Sequence, residues 1–477
     1  MNKSQLYFWS KFLKICLSLF ISISCVACGG DNPKPTPLQI NKTFTKQMES
    51  IVNISTSYGL NKFPMGFWTK ADLTQDAANF TEAEVKSWAD AGFTIPMTPL
   101  NNNFNIPAQV SIVKKLLTWS NKYGMKLIVS ENSIMGYPAT VTDKYVDNFK
   151  LILNTFSTYN ALFGFWVVDE PNASQFDAAC QAISIQKGIA PGLHPYSNLL
   201  PYYPEGMNTV GTTSWPKYLD SFIQKSSTDL ICYDYYNQLQ SSDSGWDLYF
   251  KNLRLYREAS LRNGVPFWTT LSSVANNTLK IREPSLNDIR WQVNTAIACG
   301  THGIMWYFYH RGQIPVLDSD YGLSPVDSKF QKTHIYYDMQ NVQVNFQNRY
   351  KDLFNNLINT KVYFTEIPYG DEITFTPDKL VLKVDAAGTP MLISEFVDKM
   401  GVNYLMVVNL SMNNNSTTLI TFSKSFKVTT WDDQGIEYEG VAYSSDSADL
   451  STDTNGNAVH TLHLLPGQEA VYKLQTK

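Results

Sequence analysis

Two adjacent carboxylates, Asp169 and Glu170, directly follow an apolar run that begins at Leu162. An uninterrupted apolar run of this length is typical of a strand buried on both faces, as in a parallel sheet. In α/β folds the reacting groups lie at the carboxyl ends of such strands. Paired carboxylates can act as general acid and general base, so this position is a candidate for proton-transfer chemistry. An ordinary polar turn after a strand would also explain these two acids. The pattern of the surrounding sequence decides between a catalytic site and such a turn.

Seven further apolar runs accompany this one, and helical patterns separate them. The eight predicted strands are residues 64–70, 93–98, 125–131, 162–169, 194–199, 229–235, 265–271 and 302–309. Their starts are 29 to 37 residues apart, which is the length of a strand followed by a helix. Eight such regular units predict a closed (β/α)8 TIM barrel of about 250 residues rather than an open doubly wound sheet. We assign the barrel to residues 59–359.

The pattern changes after about residue 360. Alternating apolar runs are now separated by clusters of Asn, Asp, Ser and Gly, and no helical period returns before Lys477. This pattern predicts a small antiparallel β-sandwich at residues 360–477. The predicted fold class is therefore α/β, a TIM barrel followed by a C-terminal β-sandwich.

Residues 1–28 have the pattern of an export signal. Three lysines precede an apolar stretch at 15–26, which is shorter than the roughly 20 residues that span a bilayer. The sequence around Cys28 resembles a bacterial lipoprotein box, whose cysteine is lipidated and becomes the first residue of the mature chain; Cys25 is the alternative. Residues 29–58 contain closely spaced prolines and are predicted to be a tether and lead-in segment. We expect an exported lipoprotein at the outer membrane or surface of a Gram-negative bacterium.

The composition excludes some partners and cofactors. A net charge of -4 argues against nucleic acid, because phosphate binding needs a basic face. Hydrophobic residues make up 44% of the chain and charged residues 17%, which is typical of a packed globular protein. Cys180, Cys232 and Cys299 are too scattered for a disulfide framework or a metal site. Since no phosphate-binding loop is present either, we expect no metal and no organic cofactor.

Aromatic and acidic side chains recur at the carboxyl ends of the predicted strands. Aromatic rings stack on the apolar faces of sugars, while amides and acids bind the hydroxyl groups. The candidate site residues are Trp68, Glu131, Asp169, Glu170, Asp234, Tyr235, Tyr236, Trp268, Trp306 and His310. Together they favour a carbohydrate-binding site.

Residues 60–310 resemble the clan A glycoside hydrolases, a barrel family whose fourth strand ends in Asn-Glu-Pro. The fourth predicted strand ends here in Asp169-Glu170-Pro171 and is similar to that of poorly characterised barrel hydrolases from gut and environmental bacteria. The resemblance implies that Glu170 is the general acid/base. It further implies a glycosidase that cleaves O-glycosidic bonds of a poly- or oligosaccharide with two carboxylates.

The chain departs from that family at the seventh predicted strand, where the family has its nucleophilic Glu. Residues 266–273 contain no acid. Two catalytic carboxylates lie about 5–5.5 Å apart for retention of configuration and about 6.5–9.5 Å apart for inversion. Asp234 is the first candidate for the second carboxylate, as base or nucleophile, and Glu131 and Glu283 are the alternatives. The missing acid also supports a different class of protein, a non-catalytic glycan-binding protein on a degenerate hydrolase barrel.

Overall fold

The computed structural model describes residues 46–52, 57–100, 102–136, 141–238, 246–313, 320–366, 372–443 and 447–477. Cys28, the predicted export signal and most of the predicted tether lie outside these residues. None of the helices in these ranges is long and apolar enough to cross a membrane.

Seven short parallel strands form a curled sheet in the first part of the chain. They are β1 (Met65–Phe67), β2 (Leu127–Val129), β3 (Leu162–Asp169), β4 (Tyr196–Leu199), β5 (Ile231–Asp234), β6 (Phe267–Ser272) and β7 (Ile304–Tyr307). Their order in the sheet is β1-β7-β6-β5-β4-β3-β2. The first seven residues of β3 are all buried, because helices cover the sheet on its outer face and side chains fill its interior.

The second predicted strand, residues 93–98, closes the sheet without forming a regular strand. Met97 makes an isolated parallel bridge to Ile128 of β2, and its N–H donates to the carbonyl of Phe67 in β1 (3.1 Å). Pro96 stands in the middle of the segment and has no N–H, so it interrupts the ladder. The barrel is therefore built from seven regular strands and one irregular segment that bonds to both of its neighbours.

Helices pack around the barrel and connect its strands. They are α1 (Lys46–Ile51), α2 (Glu82–Asp90), α3 (Pro107–Lys122), α4 (Asp143–Phe156), α5 (Phe176–Ile189), α6 (Gly206–Thr209), α7 (Trp215–Ser226), α8 (Trp246–Asn263), α9 (Leu286–Ala298) and α10 (His334–Tyr350). Thr81 caps α2, and Ser285 with Asp288 forms a capping box at α9. In both cases a hydroxyl side chain accepts a hydrogen bond from a backbone N–H of the first helical turn, which stabilises the start of the helix.

An antiparallel β-sandwich follows the barrel. Its strands are β8 (Leu357–Phe364), β9 (Val381–Asp385), β10 (Met391–Asp398), β11 (Asn403–Asn409), β12 (Ser416–Phe422), β13 (Phe426–Trp431), β14 (Glu437–Glu439), β15 (Leu450–Thr452), β16 (Ala458–Leu464) and β17 (Glu469–Thr476). One sheet has the order β14-β13-β17-β11-β10-β8 and the other β15-β16-β12-β9. Inward residues such as Ile393, Phe422 and Tyr472 form a core separate from that of the barrel.

Helix α9 joins the barrel to the sandwich. The indole Nε1 of Trp291 donates to the carbonyl of Leu410 (3.0 Å), and Asn294 Nδ2 donates to Glu469 (2.6 Å). Trp291 and Asn294 are both buried. The sandwich therefore covers the outer face of α9, and the two parts share a hydrogen-bonded interface.

Replacing Trp291 by alanine should lower the free energy of unfolding by roughly 3–5 kcal/mol, because it opens a cavity at this interface. Chemical denaturation followed by circular dichroism measures the change. Tyr337→Ala is the matched control, since the Tyr337 side chain on α10 is 56% exposed. We expect the control to change the same quantity by no more than about 0.5 kcal/mol. Equal losses in the two variants would contradict the interface.

Candidate active site

The backbone at the end of β3 brings two neighbouring carboxyls together. Successive side chains of an extended strand point to opposite faces of a sheet. Glu170, however, has a φ of 44°, in the left-handed region that side-chain-bearing residues rarely adopt. Its N–H donates to the carbonyl of Asn198 (2.8 Å), which fixes this turn against β4. As a result Asp169 and Glu170 both lie within electrostatic reach of Asp234 at the end of β5.

Asn198, in β4 between β3 and β5, connects the acids. Its Nδ2 donates to Oδ1 of Asp169 (3.1 Å) and to Oδ1 of Asp234 (2.8 Å). Asp234 also accepts hydrogen bonds from Tyr236 and from the carboxyl of Glu170. We refer to Asp169, Glu170 and Asp234 as the acid cluster.

Burial and mutual repulsion keep protons on the acid cluster. Burial raises the pKa of Glu170 well above its usual range, and the charges of Asp234 and Asp169 raise it further. Burial also raises the pKa of Asp169 to about 7, with a further contribution from the charge of Asp234. For Asp234, burial raises the pKa while hydrogen bonds from Asn198, Tyr236 and Glu170 act in the opposite direction. Asp234 is therefore the member best able to carry negative charge, and Glu170 is the member that retains its proton.

Protein stability should fall as the pH rises from about 4 to about 7. Between the ordinary Asp pKa of 3.8 and the raised pKa of Asp169, the folded protein holds a proton that the unfolded chain has released. Since the folded state then binds more protons, the free energy of unfolding decreases with rising pH. Thermal unfolding midpoints on either side of this interval measure the fall. Asp169→Asn cannot ionise and should reduce it; an unchanged fall in that variant would contradict the assignment.

Two tyrosines form an aromatic wall beside the acid cluster. The rings of Tyr236 and Tyr307 stack with centroids 5.5 Å apart and an interplanar angle of 25°. The hydroxyls of Tyr307 and Tyr321 lie 2.9 Å apart and share a hydrogen bond. Lys70 Nζ lies 4.8 Å from the centroid of the Tyr307 ring, and its charge acts to lower the pKa of Asp169. These side chains are only partly buried, so the wall borders an accessible site.

Asn198, Lys70 and Tyr321 are site residues that were not among the candidates predicted from the sequence. Asn198 and Lys70 are polar residues at the carboxyl ends of predicted strands, which is the signal that identified the acids. Tyr321 lies between β7 and α10 in the sequence, and nothing in its sequence context indicates its position.

The structure brings Asp169, Glu170, Asp234 and Tyr236 together, while other candidates lie elsewhere. Tyr235 is half-buried, and its N–H donates to the carbonyl of Thr270 (3.3 Å). Its ring packs against the main core of the barrel. Trp68 lies in the interior of the barrel, where its Nε1 donates to the hydroxyl of Tyr196 (3.2 Å). Trp68 is 3% exposed.

The two other candidate tryptophans do not face an open site. Trp268 lies near the amino end of β6, where its ring stacks on Phe163 at the start of β3 (5.8 Å between centroids). Trp306 points outward from the barrel, and its Nε1 donates to Gln343 of α10 (3.0 Å). Both rings are fully enclosed by protein, so the expectation that they stack on a sugar does not agree with this structure.

Glu131 and His310 have partners within the protein. Glu131 accepts hydrogen bonds from the N–H (2.6 Å) and the hydroxyl of Ser133, and thereby caps a short 3-10 turn. His310 is fully buried, with Nε2 at 2.8 Å from Glu84 Oε1. Both residues therefore have structural contacts in place of the expected substrate contacts. Glu283, the other alternative for the second carboxylate, lies on the surface beside His334.

The cysteines and possible metal ligands add no further reactive group. Cys180, Cys232 and Cys299 are free and buried. Burial raises the pKa of the Cys180 and Cys232 thiols to about 12, so neither forms a thiolate near neutral pH. Within the described ranges, no group of three or more His, Cys, Asp or Glu is arranged to hold a metal ion.

Comparisons with known proteins give structural matches. No protein-family model and no curated protein sequence matches the chain. A solved structure described as "Glycoside hydrolase" matches with a TM-score of 0.52 and 11% identity, covering 88% of this chain and 94% of that chain. A family 39 glycoside hydrolase from the gut symbiont Bacteroides cellulosilyticus WH2 has a TM-score of 0.48 and 14% identity, over 87% and 81% of the two chains. The exo-β-1,4-mannosidase Op5Man5 from Opitutaceae bacterium strain TAV5 has a TM-score of 0.43 and 15% identity, over 60% of each chain.

The first of these matches defines the fold. It covers 88% of the chain and so spans the barrel together with the sandwich. The chain has the fold of this glycoside hydrolase, and the predicted TIM barrel followed by a β-sandwich is confirmed. At 11% identity the likeness concerns the fold alone.

Proposed function

We propose that the protein is a glycosidase that hydrolyses O-glycosidic bonds of a poly- or oligosaccharide, with Glu170 as general acid/base. The observation that carries this proposal is the acid cluster at the carboxyl ends of β3 and β5, where TIM barrels place their chemistry. A raised pKa lets Glu170 hold a proton near neutral pH and give it to the leaving glycosidic oxygen. The partly exposed rings of Tyr236 and Tyr307 offer a surface on which a sugar can stack.

Asp234 is the second carboxylate of this proposal. Its hydrogen bond and its charge both favour the protonated form of Glu170. An ionised Asp234 also stabilises the positive charge that develops on the sugar ring in the transition state. A nucleophile or a water-activating base would lie about 5–5.5 Å or about 6.5–9.5 Å from Glu170, which is farther than a direct hydrogen bond allows. We therefore assign Asp234 an electrostatic role.

A screen of the detergent-solubilised protein against oligosaccharides tests the proposal. Release of reducing ends by the wild type, and its loss in Glu170→Gln, would support a glycosidase. Equal turnover by the two proteins would remove Glu170 from the mechanism. Binding in calorimetry without turnover would instead favour the glycan-binding alternative, which the absence of an acid from β6 supports.

We also propose that Cys28 carries a lipid that anchors the protein at the outer membrane or surface of a Gram-negative bacterium. The support is the charged, apolar and small-residue pattern of residues 1–28. Buried lipid chains contribute about 0.8 kcal/mol per methylene group, so the acyl chains would hold the protein at the membrane.

Cys28→Ser should move the protein from the membrane fraction to the soluble fraction, because the acyl chains can no longer be attached. Ultracentrifugation and labelling with radioactive palmitate measure the change. Cys25→Ser is the matched control and should stay labelled and membrane-bound. The opposite result would assign the lipid to Cys25.

A further inference from the structure

Glu170 and Asp234 do not have the carboxyl separation on which either of the two standard hydrolytic mechanisms depends. Glu170 shares a hydrogen bond with Asp234. Asp169 and Asp234 both accept a hydrogen bond from the same nitrogen of Asn198, at 3.1 and 2.8 Å. Retaining enzymes separate their two carboxyls by about 5–5.5 Å and inverting enzymes by about 6.5–9.5 Å. Strand β6, Phe-Trp-Thr-Thr-Leu-Ser, supplies no acid.

The neighbouring side chains of the protein are poor replacements for the missing nucleophile. Burial raises the pKa of Tyr236 well above its usual range, and the charge of Asp234 raises it further, so the phenolate is not formed near neutral pH. Cys232 is fully enclosed, and burial keeps its thiol protonated. A nucleophile carried by the substrate removes this difficulty, and substrate-assisted glycosidases follow that course.

We propose that the substrate is a glycoside of a 2-acetamido-2-deoxy sugar, whose own amide oxygen attacks the anomeric carbon while Asp169 holds the amide N–H. This inference rests on the proposed function of Glu170 as general acid/base. It assigns Asp169 the role of a catalytic residue that contacts the reacting group.

The reaction would proceed in two displacement steps at the anomeric carbon. The amide oxygen forms a bond to C1 while the bond from C1 to the leaving oxygen breaks, and Glu170 gives its proton to that oxygen. Asp169 accepts the amide proton, which leaves a neutral bicyclic oxazoline. Water then adds to C1 and gives a proton to Glu170, the C1–O bond of the oxazoline breaks, and Asp169 returns its proton to the nitrogen. Two displacements at C1 retain its configuration.

The placement of Asp169 suits this role better than that of Asp234. Asp234 shares a hydrogen bond with Glu170, the proposed acid/base. Asp169 precedes Glu170 directly, and the left-handed backbone at Glu170 directs both carboxyls to the same cluster. Burial raises the pKa of Asp169 to about 7 and the charge of Lys70 acts against this rise, so the ionised form that has to accept the proton is present at neutral pH. Three adjacent acids also disfavour an anionic sugar and favour a neutral amide that becomes positively charged as it reacts.

Two series of p-nitrophenyl glycosides test the inference. One series consists of 2-acetamido-2-deoxy glucosides and galactosides of both anomeric configurations, and the other of the same sugars with a 2-hydroxyl. We expect kcat/KM for one acetamido substrate to exceed that of its hydroxyl counterpart by about 100-fold or more, the size of effect that a positioned reacting group supplies. A 2-trifluoroacetamido substrate should react at least about 10-fold more slowly, because fluorine withdraws electrons from the attacking oxygen.

Variants separate the role of Asp169 from a structural one. Asp169→Asn keeps an oxygen that can accept from Asn198, so it should fold, while kcat on the acetamido substrate should fall by about 100-fold with a smaller change in KM. Asp177→Asn is the matched control. The Asp177 carboxyl lies exposed on α5, so this variant should leave kcat unchanged. A thiazoline analogue of the oxazoline gives a second readout, since calorimetry should show tight binding to the wild type and weaker binding to Asp169→Asn.

The possible outcomes are distinguishable. Comparable hydrolysis of the hydroxyl series, lost in Glu170→Gln, would overturn this inference and leave the proposed function standing. No hydrolysis of the acetamido series would overturn this inference, and it would overturn the proposed function as well if the oligosaccharide screen also showed no turnover. An unchanged kcat in Asp169→Asn, or a trifluoroacetamido substrate that reacts as fast as the acetamido one, would also overturn the inference.

Discussion

Replacing Glu170 by glutamine should lower kcat on an unactivated glycoside by about 10²–10⁴-fold, because a carboxamide cannot protonate the leaving oxygen. Glutamine has nearly the same shape as the protonated glutamic acid that the buried site favours. The fold and the affinity for the substrate should therefore change little. Initial rates with the wild type and the variant, together with unfolding midpoints for both, measure the two effects separately.

The identity of the leaving group provides an internal control for that result. A 2,4-dinitrophenolate departs as a stable anion and needs no proton. For a dinitrophenyl glycoside, the rate of the step that releases the dinitrophenolate should therefore fall much less in Glu170→Gln. If Glu170→Gln slowed both substrates equally, Glu170 would not be acting as an acid on the leaving group. If it slowed neither substrate, the acid would have to lie elsewhere.

The periodic architecture could be predicted from the sequence because burial on both faces of a parallel strand leaves a plain apolar run. Asp169, Glu170 and Asp234 were predictable as site residues for a related reason, since each stands where such a run ends. The irregular segment around Pro96 was predicted as a strand because its composition is apolar. Pro96 has no N–H and therefore interrupts the backbone hydrogen bonds to the neighbouring strands. This effect depends on the pairing of strands that are distant in the sequence.

The errors among the aromatic candidates have a different physical origin. Trp306 and Tyr307 are neighbours in β7, and successive side chains on a strand face opposite ways. The Trp306 indole therefore meets α10, while Tyr307 faces Tyr236 beside the acids. An apolar run does not reveal which of two adjacent residues points inward. The hydrogen bonds of Asn198 to two acids depend likewise on the spacing of three strands, which no local pattern encodes.

Removing the charge of Asp234 should move the alkaline limb of the kcat/KM profile to lower pH by about one pH unit. In the free enzyme that limb reports the loss of the Glu170 proton. A negative charge on Asp234 raises the pKa of Glu170. Asp234→Asn abolishes the charge and keeps an oxygen that can accept from Asn198. Glu170 then loses its proton at lower pH, and activity declines earlier as the pH is raised.

The shift of the alkaline limb in Asp234→Asn can be compared with the shifts in two further variants. Asp169→Asn should move the same limb in the same direction by less, because the charge of Asp169 raises the pKa of Glu170 less than that of Asp234 does. Asp177→Asn should leave the limb in place, since its exposed carboxyl lies on α5 and is paired with Lys225. A limb that stays in place in Asp234→Asn would mean that Asp234 carries no charge beside Glu170 in the working enzyme. In that case the raised pKa of Glu170 would depend on burial and on Asp169, and Asp234 would have no electrostatic role in catalysis.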